Sequence, residues 1–108
     1  MNVHIREALR TIAGSALRYV TVNFSSLPNT YYYPNAPTEK QNSDTVITDP
    51  RDAGPPFKGL HISGECAVTI VDVDNNTVTL TLTPGLWPYG GIGLSKTDSD
   101  AADVVLLY

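Results

Sequence analysis

Two stretches in the second half of the chain, residues 66–73 and 77–83, are rich in β-branched residues and are separated by three polar residues. The second stretch alternates strictly, with valine and leucine on one face and threonine on the other. This period of two residues is typical of a half-buried β-strand, and a helix does not produce it. The pattern therefore predicts a β-hairpin.

The register of this hairpin depends on its turn, because a slip of one residue moves every side chain to the other face of the sheet. A two-residue turn at Asn75 and Asn76 predicts that Val71 lies opposite Leu80, and it keeps the apolar pairs together. A three-residue turn, which places Ile70 opposite Leu80, is the open alternative. We favour the two-residue turn because asparagine adopts positive φ at little cost.

The rest of this half also predicts β structure. Residues 84–91 contain two prolines and three glycines, which interrupt a regular hydrogen-bonded ladder, so they predict a loop. Residues 92–95 predict a strand, residues 96–100 a polar turn, and residues 103–108 a closing strand. Because four apolar residues precede Tyr108 in the closing strand, we expect the end of the chain to be packed.

The first part of the chain has helical periodicity. Apolar residues recur at spacings of three and four from Ile5 to Val20, which predicts an amphipathic helix over about residues 4–17. Residues 19–24 then alternate like a short strand. The helix either covers one face of the sheet, which is the interpretation we favour, or serves as a docking arm for a partner.

Residues 25–57 have a different composition, with six of the eight prolines and very few aliphatic side chains. Such a segment lacks the side chains for a core of its own, so we expect a long ordered arm that neighbouring subunits hold in place. Tyr31, Tyr32 and Tyr33 suit that role, since tyrosine combines a large contact area with a hydroxyl that tolerates water. The alternative is that one or two of these tyrosines cap the protein's own core.

The composition fits one soluble domain, with residues 1–57 as helix and arm and residues 58–108 as the β core. The net charge is −4 and no run of basic residues occurs, which disfavours nucleic-acid binding. No apolar stretch is long enough for a membrane span or a secretion signal, so we expect neither. Cys66 is the only cysteine, so no disulfide can form within the chain, which is consistent with folding in a reducing cytoplasm. We interpret Cys66 as a small buried apolar residue.

Residues that carry chemistry are sparse. Residues 72–76 are similar to the start of a calcium loop but lack the glycine and the distant acid of such a loop, so a hairpin turn is favoured. His4 and His61 have no second ligand at metal-binding spacing. The acidic residues between positions 44 and 52 predict a solvated loop. We therefore expect no cofactor, no metal and no catalytic residue, in a protein that is not an enzyme.

The order of elements in residues 43–108 carries a resemblance to a known family. An acidic Ser/Thr/Asp segment at residues 43–50 precedes a strand at residues 58–64, the hairpin, a Gly-Leu-Trp-Pro crossing at residues 85–88 and the ending Leu107-Tyr108. This arrangement resembles small virion proteins of tailed phages and gene transfer agents, the spike-base and head-decoration proteins.

Three features depart from the family pattern. Gly59 and His61 stand where alanine and tyrosine are usual, and the crossing carries an unusual Trp87. The first forty residues have no counterpart in the family, so the resemblance does not extend to the predicted helix.

The resemblance implies an all-β fold, a small antiparallel sandwich or barrel, in a structural protein of a virion assembled in the cytoplasm of a bacterial host. It implies a homo-oligomeric ring on the capsid, as a vertex spike base or a decoration, that contacts the major capsid protein and a spike or fibre protein. The residues we expect at its interfaces are aromatic: Tyr31, Tyr32, Tyr33, Trp87, Tyr89 and Tyr108.

Two alternatives stay open for the function. One is a neck or tail adaptor subunit of the same virion. The other is a carbohydrate- or receptor-binding module in which Trp87, Tyr89 and the tyrosine run act as stacking platforms for sugar rings.

Overall fold

The computed structural model describes residues 18–108, so the helix predicted over residues 4–17 lies outside the described part of the chain. The described residues form an all-β protein with two antiparallel sheets, as predicted. The strands are β1 Tyr19–Asn23, β2 Tyr31–Tyr32, β3 Asn42–Ser43, β4 Gly59–Ile62, β5 Cys66–Val71, β6 Thr77–Leu82, β7 Gly85–Trp87, β8 Gly93–Ser95 and β9 Asp103–Leu107. Short 3-10 turns occupy Phe24–Ser26, Thr38–Lys40 and Pro50–Ala53.

The two sheets combine strands that are distant in the chain. The four-stranded sheet has the order β1-β9-β4-β7, and the five-stranded sheet has the order β3-β2-β8-β5-β6. The predicted closing strand is confirmed as β9, and it is central, with β1 on one side and β4 on the other. Strands from before and after residue 57 share both sheets, so the expected boundary there does not separate two bodies of structure.

The main core lies between the two sheets. Inward-facing side chains of β1, β4 and β9 meet inward-facing side chains of β5 and β8, because each strand alternates its side chains between its two faces. Each fully buried aliphatic side chain contributes about 1.5–3 kcal/mol, which makes this cluster the main source of stability. Its buried members are Val22, Phe24, Phe57, Leu60, Ile62, Val68, Ile70, Leu82, Leu94, Ala101, Val104 and Leu106.

A second, smaller core lies on the other face of the five-stranded sheet. Val71 points to this face and has no exposed surface, and the Pro- and Tyr-rich segment packs over it. The buried members are Tyr33, Ala36, Ala53, Val71 and Ile92. Contacts within its own chain hold this segment, and the expected contact with neighbouring subunits stays a prediction. The segment contributes one bulky side chain, Tyr33, and two alanines, Ala36 and Ala53, and all three are buried.

The predicted hairpin is present as β5 and β6, but both predicted registers are wrong. Ile70 lies opposite Val78, and Val68 lies opposite Leu80. This register keeps the apolar pairs on the inward face, which is the face that the alternation predicted. It differs from the expected one because the connection between the strands is five residues long.

Side-chain hydrogen bonds explain the longer connection. The Asp72 carboxylate accepts hydrogen bonds from the backbone N–H groups of Asp74 and Asn76, at 2.9 Å each. Asn75 has a φ of 69°, in the left-handed region that asparagine tolerates. An aspartate that satisfies the backbone inside the loop stabilises a wider turn than the residue types alone predict.

The loop predicted over residues 84–91 contains strand β7, which pairs with β4. The prediction is wrong because a strand at the edge of a sheet forms ladder hydrogen bonds on one side only. Pro84 and Pro88 flank the strand without interrupting it, and Gly85 has a φ of 137°, which favours glycine. The other predicted strands, over residues 19–24 and 92–95, are confirmed as β1 and β8.

Candidate interaction surface

The aromatic residues expected at interfaces lie in three separate places. Residues 31–33 belong to β2 and to the segment that covers the five-stranded sheet. Tyr108 directly follows β9 in the four-stranded sheet, and Trp87 and Tyr89 lie at its edge strand β7. The structure therefore brings the predicted residues together as local pairs and does not gather them into one site.

The tyrosine run is part of the protein's own packing. Tyr33 has no exposed surface, and its hydroxyl accepts a hydrogen bond from the Ile47 backbone N–H at 2.9 Å. Its ring lies nearly parallel to that of Tyr31, with centroids 6.5 Å apart, and burial raises the pKa of its phenol. Tyr33 therefore caps its own core, which is the alternative left open above. Tyr31 and Tyr32 are half-buried, and their contact with a neighbour stays a prediction.

Tyr108 closes one end of the main core. Its ring meets Phe57 edge-on, with centroids 6.2 Å apart, and the Arg18 guanidinium carbon lies 4.6 Å from its centroid. Its hydroxyl is buried and has no hydrogen-bond partner among the described residues. Burial raises the pKa of Tyr108 to about 12, although the charge of Arg18 acts in the opposite direction. These contacts show that Tyr108 packs within its own chain, and its expected contact with a neighbouring subunit stays a prediction.

Trp87 and Tyr89 form an aromatic pair beside the edge of the four-stranded sheet. Their ring centroids are 6.1 Å apart and their planes differ by 12°. The indole Nε1 donates a hydrogen bond to the Thr83 carbonyl at 2.7 Å, and the ring packs against the main core. Tyr89 is 40% exposed. One ring is thus fixed by the fold, while the other is accessible to a partner.

An apolar groove of about 330 Å³ lies next to this pair. Val78, which is 45% exposed, lies in its wall. The alternation of the strand correctly placed Val78 on the inward face. However, alternation does not show whether the opposite sheet extends far enough to cover this position. The sequence analysis therefore missed the groove. Its lining residues are Ile70, Asp72, Val78, Leu80, Pro88, Tyr89 and Gly90.

The groove lies on a side of the protein where both sheets end. β6 is an edge strand of the five-stranded sheet, β7 is an edge strand of the four-stranded sheet, and only two residues connect them. We call this region the open side; it comprises β6, β7, the groove and the Trp87–Tyr89 pair. An edge strand presents unpaired backbone N–H and C=O groups, so the open side combines hydrogen-bonding groups with apolar surface.

The acidic residues between positions 44 and 52 are engaged separately. Asp44 accepts hydrogen bonds from the loop that precedes β2. Asp49 accepts hydrogen bonds from the side chain and backbone of Arg51, which lower the pKa of its carboxyl. Asp52 pairs with Lys40 at 3.1 Å. Asp49 stabilises a local turn, whereas Asp44 and Asp52 each link two parts of the chain that are distant in sequence, and the three carboxylates do not converge on a common point.

Cys66 is half-buried at the start of β5. Burial and the nearby charge of Asp100 raise the pKa of its thiol, which favours the protonated form. Over residues 18–108, histidine, cysteine and acidic side chains form no group of three or more that could hold a metal ion. No helix within the same range is long and apolar enough to cross a membrane.

No protein-family model, no curated protein and no solved structure matches this chain. The resemblance to spike-base and head-decoration proteins therefore stays a prediction that depends on the residues quoted for it. The feature of the structure that bears most directly on function is the open side, with its two edge strands and its apolar groove.

Proposed function

We propose that this protein is a non-enzymatic structural subunit that assembles with copies of itself in the virion of a tailed phage or a phage-like particle. The single observation that supports assembly most strongly is the open side, where two edge strands and an apolar groove lie together. The resemblance in residues 43–108 supports the virion as the setting.

The physical argument concerns how small β proteins protect their edges. Unpaired edge strands attract other chains, so proteins that act alone usually cover, shorten or charge them. Contiguous exposed apolar surface is likewise typical of a surface that binds another protein. The open side has both properties, and the exposed Val78 and Tyr89 lie within it.

In the proposed particle the protein forms a closed homo-oligomeric ring on the capsid. One face of the ring contacts the major capsid protein, and the other holds a spike or fibre protein. A position in the neck or tail of the same virion would use the same assembly properties. A reconstruction of the particle distinguishes these positions.

A second candidate function is carbohydrate binding, and one observation favours it. The parallel Trp87 and Tyr89 rings, with Tyr89 accessible, resemble the aromatic platforms on which sugar rings stack. However, the groove beside them is lined mainly by aliphatic side chains and proline, which supply few hydrogen bonds to sugar hydroxyls. An apolar lining suits a protein partner better, so assembly is the function we favour.

Native mass spectrometry of the purified full-length protein tests the proposal. We expect an oligomer of defined size whose population rises with protein concentration, and a glycan array probed with the same sample should give no specific signal. A protein that stays monomeric at every concentration would contradict the assembly function. Saturable binding to one glycan class, abolished by Tyr89→Ala, would favour the second candidate instead.

A further inference from the structure

Among residues 18–108 no strand pairs with the outer edge of β6, and the backbone groups along this edge have a defined hydrogen-bonding pattern. The backbone N–H of Ile92 donates to the carbonyl of Val71 on the β8 side, and that of Asp72 donates to Asn76 on the β6 side, both at 2.8 Å. Successive residues of an antiparallel strand point their backbone groups to opposite sides. Even-numbered residues of β5 and β6 therefore bond each other. The backbone groups of the odd-numbered residues of β6, all threonines, point outward from the sheet.

Two other edge strands are protected in ways that β6 is not. β7 has three residues and lies between Pro84 and Pro88, while β3 has two residues and is followed by Asp44. Short length, proline and charge are the usual means of preventing edge-to-edge pairing. β6 is six residues long and contains no proline and no charged residue. The fourth edge strand, β1, also lacks proline and charge in its five residues. β6 is the edge we select because it is the longer strand and because the groove and the exposed Val78 lie on it.

We propose that the partner of β6 is β6 of a second copy, paired antiparallel about a two-fold axis at Thr79. In this register Thr79 lies opposite its own copy, and Thr77 lies opposite Thr81 of the second copy. The outward backbone groups of these three residues then all find partners. Pairs of threonine across antiparallel strands are favourable, and no charge is buried.

The same register also matches the apolar face. Val78 lies opposite Leu80 of the second copy, at a position without backbone hydrogen bonds, where side chains approach most closely. Two such contacts form by symmetry, next to the groove of each copy. Leu80 of the second copy thereby covers the exposed apolar surface of Val78. A strand with a polar residue at this position would cover it less completely. Self-complementarity on both faces is the reason to choose a second copy over a different protein.

This inference rests on the proposed assembly function and identifies one contact between copies, the pairing of two β6 strands. A two-fold contact closes on itself, so it produces a dimer, and a ring needs a second contact between dimers. A two-fold axis perpendicular to the ring axis would make the two faces of the ring identical. In the proposed ring the two-fold axis of each dimer is therefore parallel to the ring axis, the dimer is the repeating unit, and the number of copies is even. One six-residue strand pair is a small interface, so we expect an isolated dimer that depends on concentration.

Charge exchange at Thr79 tests the register. Sedimentation velocity over a concentration series compares wild-type protein with Thr79→Lys, Thr79→Glu and a mixture of the two variants in equal amounts. Each charged variant alone places like charges opposite each other and should weaken the dimer at least about tenfold. The mixture should restore it, because lysine then faces glutamate. Failure of the mixture to assemble would overturn the two-fold register at this residue.

Thr79→Ala is the matched control. The Thr79 hydroxyl lies 2.8 Å from the Thr69 hydroxyl, and all three substitutions remove this contact. The alanine variant adds no charge and loses only the threonine pair at the two-fold axis, so it should weaken the dimer much less than either charged variant does. If the alanine variant dissociates as far as the charged variants do, the loss comes from removal of the Thr79 hydroxyl and not from charge repulsion between the two β6 strands. That result would overturn the proposal.

Hydrogen exchange gives a second measurement that needs no substitution. The amides of Thr77, Thr79 and Thr81 should become protected as the concentration of wild-type protein rises. Those of Val78 and Leu80, which bond to β5, should be protected throughout and serve as internal controls. An odd-numbered oligomer, or one unaffected by charge at Thr79, would overturn the β6 contact and leave the assembly function standing. A wild-type monomer would contradict the assembly function itself.

Discussion

The β core of residues 58–108 and the segment of residues 25–57 are both ordered, but different interactions hold them. The β core depends on ladders of backbone hydrogen bonds and on alternating apolar side chains. The segment has only two short strands and depends on a few fully buried anchors, above all Tyr33. Regular periodicity is therefore one route to order, and burial of a few large side chains on an existing sheet is another.

Side-chain hydrogen bonds to the backbone reinforce the second route. The Gln41 side chain donates to the Ala36 carbonyl at 3.1 Å, and the Asn35 side chain donates to the Pro55 carbonyl at 2.9 Å. These bonds satisfy carbonyl groups that a regular ladder would otherwise satisfy. Because so few buried side chains hold the segment, we expect substitution of a single one of them to destabilise the whole segment.

The largest effect should come from deletion of residues 104–108, which removes most of β9. This strand pairs with both β1 and β4, and Val104 and Leu106 have no exposed surface. The loss of its buried side chains, at about 1.5–3 kcal/mol each, is already a large share of the total stability of about 5–15 kcal/mol that is typical of a small domain, and the ladder is lost as well. The truncated protein should be insoluble or lack a cooperative thermal transition. A soluble variant that melts cooperatively would show that β9 is dispensable.

Tyr33→Ala should have the next largest effect and should separate the two regions. The substitution leaves a cavity in the second core and should cost about 3–5 kcal/mol in urea unfolding. Hydrogen exchange should rise first in residues 30–53, while the amides of β9 keep their protection.

Tyr33→Phe is the control for this experiment. It keeps the ring and loses only the hydrogen bond from the Ile47 N–H, so it should cost about 1 kcal/mol. Equal exchange throughout the chain in the alanine variant would mean that the segment and the β core form a single cooperative unit.

Trp87→Ala should have a smaller effect, because the indole is only half-buried at an edge strand. Loss of its packing and of the stack with Tyr89 should cost about 1.5–3 kcal/mol in chemical denaturation. Trp87→Phe keeps an aromatic ring and should recover most of that free energy. A cost below about 0.5 kcal/mol for the alanine variant would show that the indole is not part of the fold.

Tyr108→Phe should have the smallest effect at neutral pH and a distinct effect at high pH. The substitution removes a buried hydroxyl without a described partner, so stability at pH 8 should stay the same or rise slightly. The folded-state pKa of about 12 exceeds the ordinary value of 10.0, so the unfolded state loses its proton first. Wild-type stability should therefore be complete below about pH 10 and fall as the pH rises towards 12.

Thermal melting at pH 8 and pH 11 checks this last prediction. The difference between the two melting temperatures should be smaller for Tyr108→Phe than for wild type. An identical pH dependence in both proteins would mean that the Tyr108 phenol is not the group that titrates over this range.

The sequence by itself determined β1, most strands of residues 58–108 and the faces of the hairpin, but it missed β2, β3 and β7. Alternation identified β1 and β6, because side-chain facing follows directly from the two-residue repeat of a strand, and a run of apolar residues identified β9. The apolar run before Tyr108 correctly predicted a packed end. These features are local, so no knowledge of the partner strands is required.

Only the tertiary structure decided which strands are edges, which register the hairpin adopts and what covers the five-stranded sheet. Each depends on contacts between residues distant in the chain, such as Tyr33 over Val71 or β7 beside β4. The same holds for the open side, since Val78 has the pattern of a core residue and is exposed only because the sheet ends there. Periodicity specifies the direction of a side chain, whereas burial depends on what the fold places opposite it.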